Sequence, residues 1–152
     1  MEEAQNKRDK DSILQLYNKV LPALAEHINQ NLTEVIPLFH DYLLERLVDT
    51  WTKSPDASNE TPISIENGNV QQMGLRLRLE GFQRAGVPPF DVTKDLLFKL
   101  MLTTYEVGPN KNNVWAEKQY YEAWTPRETE DIAQKWSEEL IGEIMQRLES
   151  LT

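Results

Sequence analysis

Apolar residues recur at steps of three and four near the start of the chain, after a charged segment without periodicity at residues 1–11. This spacing places side chains on one face of an α-helix and predicts a first helix beginning at Ser12. Pro22 lies inside the pattern, and because it lacks an amide hydrogen we expect it to kink or split that helix. The charged segment 1–11 is predicted to be a flexible tail. The apolar stripe consists of Ile13, Leu16, Tyr17, Val20, Leu21, Leu24 and Ile28.

Three further apolar segments, at about 33–51, 70–85 and 92–107, are also interpreted as helices. The alternation from Leu75 to Leu79 fits a strand as well, but Val70, Met73 and Leu77 share a helical face, which favours a helix. Residues 92–107 form the most continuous apolar segment. They therefore predict the central, most buried helix of a bundle.

The end of the chain carries the clearest local signal. Thr125, Pro126 and Glu128 stand where a helix N-cap, its first residue and its third residue are expected. An amphipathic pattern follows to Leu151. Together these segments predict an all-α fold: a single helical domain at residues 12–152, a bundle of about five or six helices, with a long polar loop at about 53–69.

Composition narrows the functional classes. The 152 residues carry a net charge of −9, which disfavours nucleic-acid binding because phosphate recognition needs a basic surface. Cysteine is absent, which excludes disulfides and thiolate metal sites. We find neither an apolar run long enough to span a bilayer nor an apolar segment typical of a secretory signal. The expected location is cytoplasmic, without a membrane partner.

Candidate chemistry is sparse. His27 and His40 are the only histidines, and neither belongs to the Glu-x-x-His pairs of a di-iron bundle. A haem ligand is conceivable at His40, but the apolar segment 92–107 contains no histidine. The nucleophile motif Gly-x-Ser-x-Gly and glycine-rich phosphate loops are missing. We therefore expect no metal or cofactor, assign no catalytic residue, and consider an enzyme the less favoured reading.

Two groups of residues are candidate sites. Trp115, Tyr120, Tyr121 and Trp124 fall within ten residues and are of the types that protein interfaces prefer, although core packing is the favoured explanation. Arg76 and Arg84, eight residues apart on a predicted helix, form a candidate anion-binding pair. The alternative is that these arginines cover apolar neighbours and pair with nearby acids.

The function expected from these observations is a non-enzymatic helical regulatory or adaptor domain. It would act through protein–protein contacts, with a partner or by self-association. The alternative is a small-molecule-binding helical sensor of globin-like size, with a pocket beside residues 92–107.

Overall fold

The computed structural model describes residues 10–50, 70–110 and 112–151. The predicted polar loop at 53–69 lies outside this part of the chain, as does the predicted tail at 1–11 except for its last two residues, which begin the first helix. Helix α1 consists of an α-helical segment Lys10–Gln15, a π-helical turn Leu16–Val20 and an α-helical segment Leu21–Asn31. A short 3-10 turn Ile36–Leu38 follows. The remaining elements are strands β1 Phe39–Thr50, β2 Val70–Phe82, β3 Val92–Leu100, β4 Thr104–Gly108 and β5 Ala116–Gln119, and helix α2 Pro126–Leu151.

The five strands form one antiparallel sheet in the order β1-β2-β3-β4-β5, and both helices pack against the same face of it. The prediction of an all-α helical bundle is therefore wrong, because the chain is a mixed α/β protein with two layers. We call the helix-covered face of the sheet the inner face and the opposite one the outer face.

The alternating residues of β2 explain why a helix was wrongly predicted at residues 70–85. Leu75, Leu77 and Leu79 are buried on the inner face, while Arg76 and Arg78 lie on the outer face. A period of two is the spacing of a strand, and a helix was inferred only because the same residues also match a three- and four-residue step. The predicted helix at 70–85 is thus a strand followed by a loop.

Strand β1 was misassigned for a different reason. Apolar residues occupy both of its faces, with Tyr42 and Leu44 on the inner face and Leu43 and Leu47 on the outer one. This arrangement removes the alternation and mimics a helical stripe. Leu43 is half exposed on the outer face, since both helices pack against the inner face.

Residues 92–107, predicted to be the central helix, form strands β3 and β4 instead. Their inner-face side chains are buried, including Phe98 and Tyr105. The two strands are joined by a two-residue loop, and the amide of Met101 donates to the carbonyl of Thr104 across it at 2.9 Å. That loop, Leu102-Thr103, contains none of the Gly, Asn or Asp residues by which hairpin turns are recognised.

Helix α2 covers the inner face over the middle strands. Its start is the predicted capping box: the amide of Glu128 donates to Thr125 Oγ1 at 3.1 Å, and the Thr125 amide donates to Glu128 Oε1 at 2.8 Å. Fully buried Trp136 donates from its indole nitrogen to the carbonyl of Asp95 in β3 at 3.0 Å. This bond connects the centre of α2 directly to the centre of the sheet.

Two lysines on the inner face are buried beneath α2. Lys94 Nζ lies 2.7 Å from Glu139 Oε1 and 3.3 Å from Glu143 Oε2. Lys118 Nζ lies 2.9 Å from Glu128 Oε2. Each lysine therefore reaches a carboxylate on α2 from a position surrounded by apolar side chains.

Helix α1 lies beside α2, where the Asn31 side-chain amide donates to Ser137 Oγ at 3.4 Å. Its π-helical turn ends at Val20, two residues before Pro22, and the Leu21 amide donates to the carbonyl of Leu16, five residues earlier. Pro22 supplies no amide hydrogen to the ladder. The irregularity therefore coincides with the position at which a break was expected.

Candidate functional site

A groove of about 220 Å³ lies between the π-helical turn of α1 and the segment that links β5 to α2. We call it the aromatic groove. Short π-helical turns within α-helices are frequent at functional sites, which makes this location informative. Its lining residues are Ser12, Gln15, Leu16, Lys19, Val20 and Ala23 on α1, and Tyr120, Glu122, Ala123, Trp124 and Thr129 on the other side.

The Trp124 side of the groove is fixed by contacts with the core. Trp124 Nε1 donates to the hydroxyl of Tyr105 at 2.7 Å, and its ring stacks on Phe98 with centroids 5.8 Å apart. Burial raises the pKa of Tyr105 to about 12, so this hydroxyl remains protonated at neutral pH. The indole is thereby held at a single orientation by a buried neutral partner.

Tyr120 is held in the same way from the adjacent turn. Its ring centroid lies 5.4 Å from that of Tyr105, and its hydroxyl donates to the carbonyl of Met101 in the β3–β4 loop. The two aromatic side chains lining the groove thus belong to one cluster with the core. Their polar atoms are already hydrogen-bonded, which leaves apolar ring surface as what the groove offers.

The backbone between β5 and α2 is held by a tight turn and a cap. The Gln119 amide donates to Glu122 Oε1 at 2.7 Å, and the Glu122 amide donates to the carbonyl of Gln119 at 3.0 Å. Lys118 Nζ lies 5.5 Å from the Trp124 ring centroid and bonds Glu128. This hydrogen bond is the main cause of a lowered pKa at Glu128. The groove wall is therefore preorganised.

Two apolar side chains project at the same end of the sheet. Tyr121 is 62% exposed, and Leu102, in the β3–β4 loop, is 67% exposed. Pairing of Thr104 with Gln119 brings these two connections to one end of the molecule. Exposed apolar groups of this size next to a groove are typical of a contact surface.

The four predicted partner-binding residues separate in the structure. Tyr120 and Trp124 line the aromatic groove, and Tyr121 is exposed beside it. Trp115 precedes β5, at the other end of that strand, where Lys135 Nζ lies 4.8 Å from its ring centroid. Their role in partner binding stays a prediction.

The candidate anion pair is not assembled on a shared helix face, because Arg76 lies in β2 and Arg84 in the loop that follows it. Arg76 donates from Nε and Nη2 to the two carboxylate oxygens of Asp95, at 2.8 and 2.9 Å. This bond is the main cause of a raised pKa at Arg76. Anion binding by these two residues stays a prediction without a shared surface to support it.

The remaining groove residues were missed from sequence. Leu16, Lys19 and Val20 belong to the π-helical turn. Beside the groove, Leu102 lies in a loop that was assigned to a helix. One signal could have indicated the turn: the five-residue step between the buried residues Leu16 and Leu21, directly before a proline.

Metal-binding geometry was sought among the described residues, and no group of three or more His, Asp or Glu side chains suited to a metal ion occurs there. His27 lies on α1 and His40 on β1. No helix within the described ranges is long and apolar enough to cross a membrane.

Comparison of the chain with protein-family models, with curated proteins and with solved structures finds no match.

Proposed function

We propose that the protein is a non-enzymatic binding domain, of regulatory or adaptor type, that takes up an apolar side chain of a protein partner in the aromatic groove. The observation that carries this proposal is the coincidence of the groove with a π-helical turn and two exposed apolar residues, Tyr121 and Leu102. Interfaces obtain most of their affinity from a few such anchors.

The size of the groove favours a protein side chain over a free small molecule. Its volume is about 220 Å³, whereas small-molecule sites typically enclose about 300–1,000 Å³. A single aromatic or aliphatic side chain fits this space, while Tyr121 and Leu102 extend the contact around it. At this groove the sensor alternative has less support for this reason.

Preorganisation supports the same proposal. Tyr120 and Trp124 are fixed by hydrogen bonds to Met101 and Tyr105, so binding does not need to order them. Lys19 and Glu122 add one charge of each sign to the lining. The net charge of −9 favours a neutral or basic partner segment over an acidic one.

A peptide library displayed on phage provides the test. Peptides selected on the wild-type protein are expected to share an aromatic or aliphatic anchor. Tyr121→Ser should weaken their binding by about tenfold or more, as loss of an interface aromatic does. Met145→Ser is the matched control, because Met145 is 56% exposed on α2 and about 24 Å along the helix from Thr129.

A second variant tests the groove itself. Ala23→Phe places a ring in the groove from the α1 side and should abolish peptide binding while thermal unfolding shows that the fold persists. Retained affinity in this variant would refute the groove as the site. Native mass spectrometry showing a stoichiometric small molecule, displaced by Ala23→Phe, would instead favour the sensor alternative.

A further inference from the structure

Strand β1 forms one edge of the sheet, and within the described ranges no strand pairs with its outer side. Edge strands are usually protected by Pro, by charged side chains, above all Lys, or by a β-bulge. The ten residues 39–48 contain no Pro, Lys or bulge, since the register is regular until a shift between Asp49 and Thr50. Of their charged side chains, Glu45 and Arg46 are held by contacts within the same molecule. The strand is also long, at 12 residues, where strands of five or six are typical.

The hydrogen-bonding direction along β1 follows from the alternation across the sheet. The Met101 amide donates to the carbonyl of Thr104 in register with the β3–β4 pairing, so odd-numbered residues of β3 direct their backbone groups toward β4 and even-numbered residues toward β2. Through the register of β2 with β3, odd-numbered residues of β2 face β3 and even-numbered residues face β1. Odd-numbered residues of β1 pair with the latter, while Tyr42, Leu44 and Arg46 direct their backbone groups away from the sheet, where a further strand can pair.

We propose that a second copy of this chain pairs with β1 in antiparallel orientation, so that two sheets join into one around a two-fold axis at Leu44. A two-fold axis makes the contact self-complementary and closes the assembly as a dimer. The interface is formed by backbone hydrogen bonds along β1 and does not involve the aromatic groove.

The charged residues of β1 favour this register over the two adjacent registers. With Leu44 opposite Leu44 of the second copy, Leu43 lies opposite Glu45 and Tyr42 opposite Arg46, so no like charges face each other. A shift in one direction places Glu45 opposite Glu45, and a shift in the other places Asp41 opposite Glu45. Like charges directly opposite each other destabilise an antiparallel pair.

Side chains along the edge are compatible with this pairing. Leu43 is 50% exposed, and Glu45 is tied to its own sheet by Arg78 at 3.3 Å. The Arg46 guanidinium lies 4.3 Å from the Tyr17 ring centroid, and so is drawn back toward α1. The buried hydroxyl of Tyr42 has no hydrogen-bond partner among the described residues, and Arg46 of the second copy lies opposite this residue in the dimer.

Cysteine crosslinking tests the register, because the chain contains no native cysteine. Two residues facing each other in a hydrogen-bonded antiparallel pair have Cα atoms about 5.5 Å apart, within disulfide range. Under mild oxidation, Leu44→Cys should form a covalent dimer at least about tenfold faster than Leu43→Cys or Glu45→Cys, whose symmetry mates lie farther apart. Thr93→Cys, exposed on the central strand, is the control for random collision.

Sedimentation velocity of the wild type and of Arg46→Pro completes the test. Proline at 46 removes a backbone donor that points away from β2, so the variant should fold and remain monomeric where the wild type dimerises. Arg46→Ala, which loses the same side chain but keeps the donor, should still dimerise. A wild-type monomer at high micromolar concentration would overturn the proposal, as would fastest crosslinking at residue 43 or 45. If Arg46→Pro does not fold, the crosslinking series decides alone.

Discussion

Lys94 and Asp95 are neighbours in β3, yet they belong to opposite faces of the sheet. Lys94 is buried beneath α2 and paired with Glu139 and Glu143 of that helix. Asp95 faces the outer side and pairs with Arg76 of the adjacent strand, where both side chains are partly exposed. An ion pair thus joins the sheet to α2 on the inner face, whereas on the outer face it joins only two adjacent strands. The comparison predicts that inner-face changes will dominate stability.

The largest effect is expected at Trp136, which fills the space between α2 and the centre of the sheet. Trp136→Ala should lower the free energy of unfolding by about 3–5 kcal/mol, since a buried aromatic residue is replaced by a cavity. Urea unfolding measures this loss. The outer-face control Thr93→Ala should change stability by less than about 0.5 kcal/mol. Similar values for the two variants would contradict the assignment of faces.

The buried lysine gives the next largest effect. Removing both carboxylate partners of Lys94 with Glu139→Ala and Glu143→Ala should lower the free energy of unfolding by about 1–3 kcal/mol, because the Lys94 ammonium group stays buried without them. Lys94→Met should cost less than that double variant, since it removes the buried charge together with its need for partners. Chemical denaturation of the three proteins gives the order, and a Lys94→Met variant that is the least stable would break the argument.

The outer-face pair should matter less, despite its bidentate geometry. A double-mutant cycle with Arg76→Ala and Asp95→Ala should give a coupling of about 1 kcal/mol or less, because solvent screens the charges and ordering the side chains offsets the attraction. The coupling should shrink further in high salt. A coupling larger than the cost of removing the partners of Lys94 would reverse the comparison.

The smallest effect is expected on stability at acid pH, and it depends on Glu128 at the start of α2. The pKa of Glu128 is lowered, mainly by its hydrogen bond from Lys118. A carboxylate with a lowered folded-state pKa stabilises the fold above its unfolded pKa, and this contribution is lost as the pH falls through the folded value. Thermal melts of wild type should therefore fall more steeply than those of Glu128→Gln below about pH 4.5. Parallel curves would show that the bond contributes nothing; Glu130→Gln is the exposed control.

Both helices were predictable from sequence because their signals are local. Thr125 and Glu128 form their reciprocal bonds within one turn, and the apolar residues of α1 need only a shared helical face. Strand β1 was not predicted, because apolar residues occupy both of its faces and remove the alternation. Leu43 and Leu47 lie on the outer face of that edge strand, and no local rule places a leucine there.

The β3–β4 hairpin shows a second reason why strands were not predicted from the sequence. A turn is recognised in sequence by residues that tolerate a positive φ, but in the described part of the chain the residues with positive φ are Gly81 and Gly86. Leu102 and Thr103 turn the chain without such a residue, so two strands resembled one long helix. The aromatic groove was therefore predicted only in part: Tyr120 and Trp124 were candidate residues, while the facing α1 turn and the neighbouring Leu102 were not.

The π-helical turn of α1 also changes the direction in which the side chains after it point around the helix axis. Successive residues of an α-helix are rotated by about 100°, so the five-residue step from Leu16 to Leu21 would place these side chains about 140° apart. The wider turn returns both to the core side, where both are buried. Deleting Asn18, exposed in this turn, would shorten the step to four residues and let a regular helix keep the same apolar face. Groove shape and core packing are therefore separable, and a deletion variant that melts like wild type but no longer binds peptide would demonstrate this.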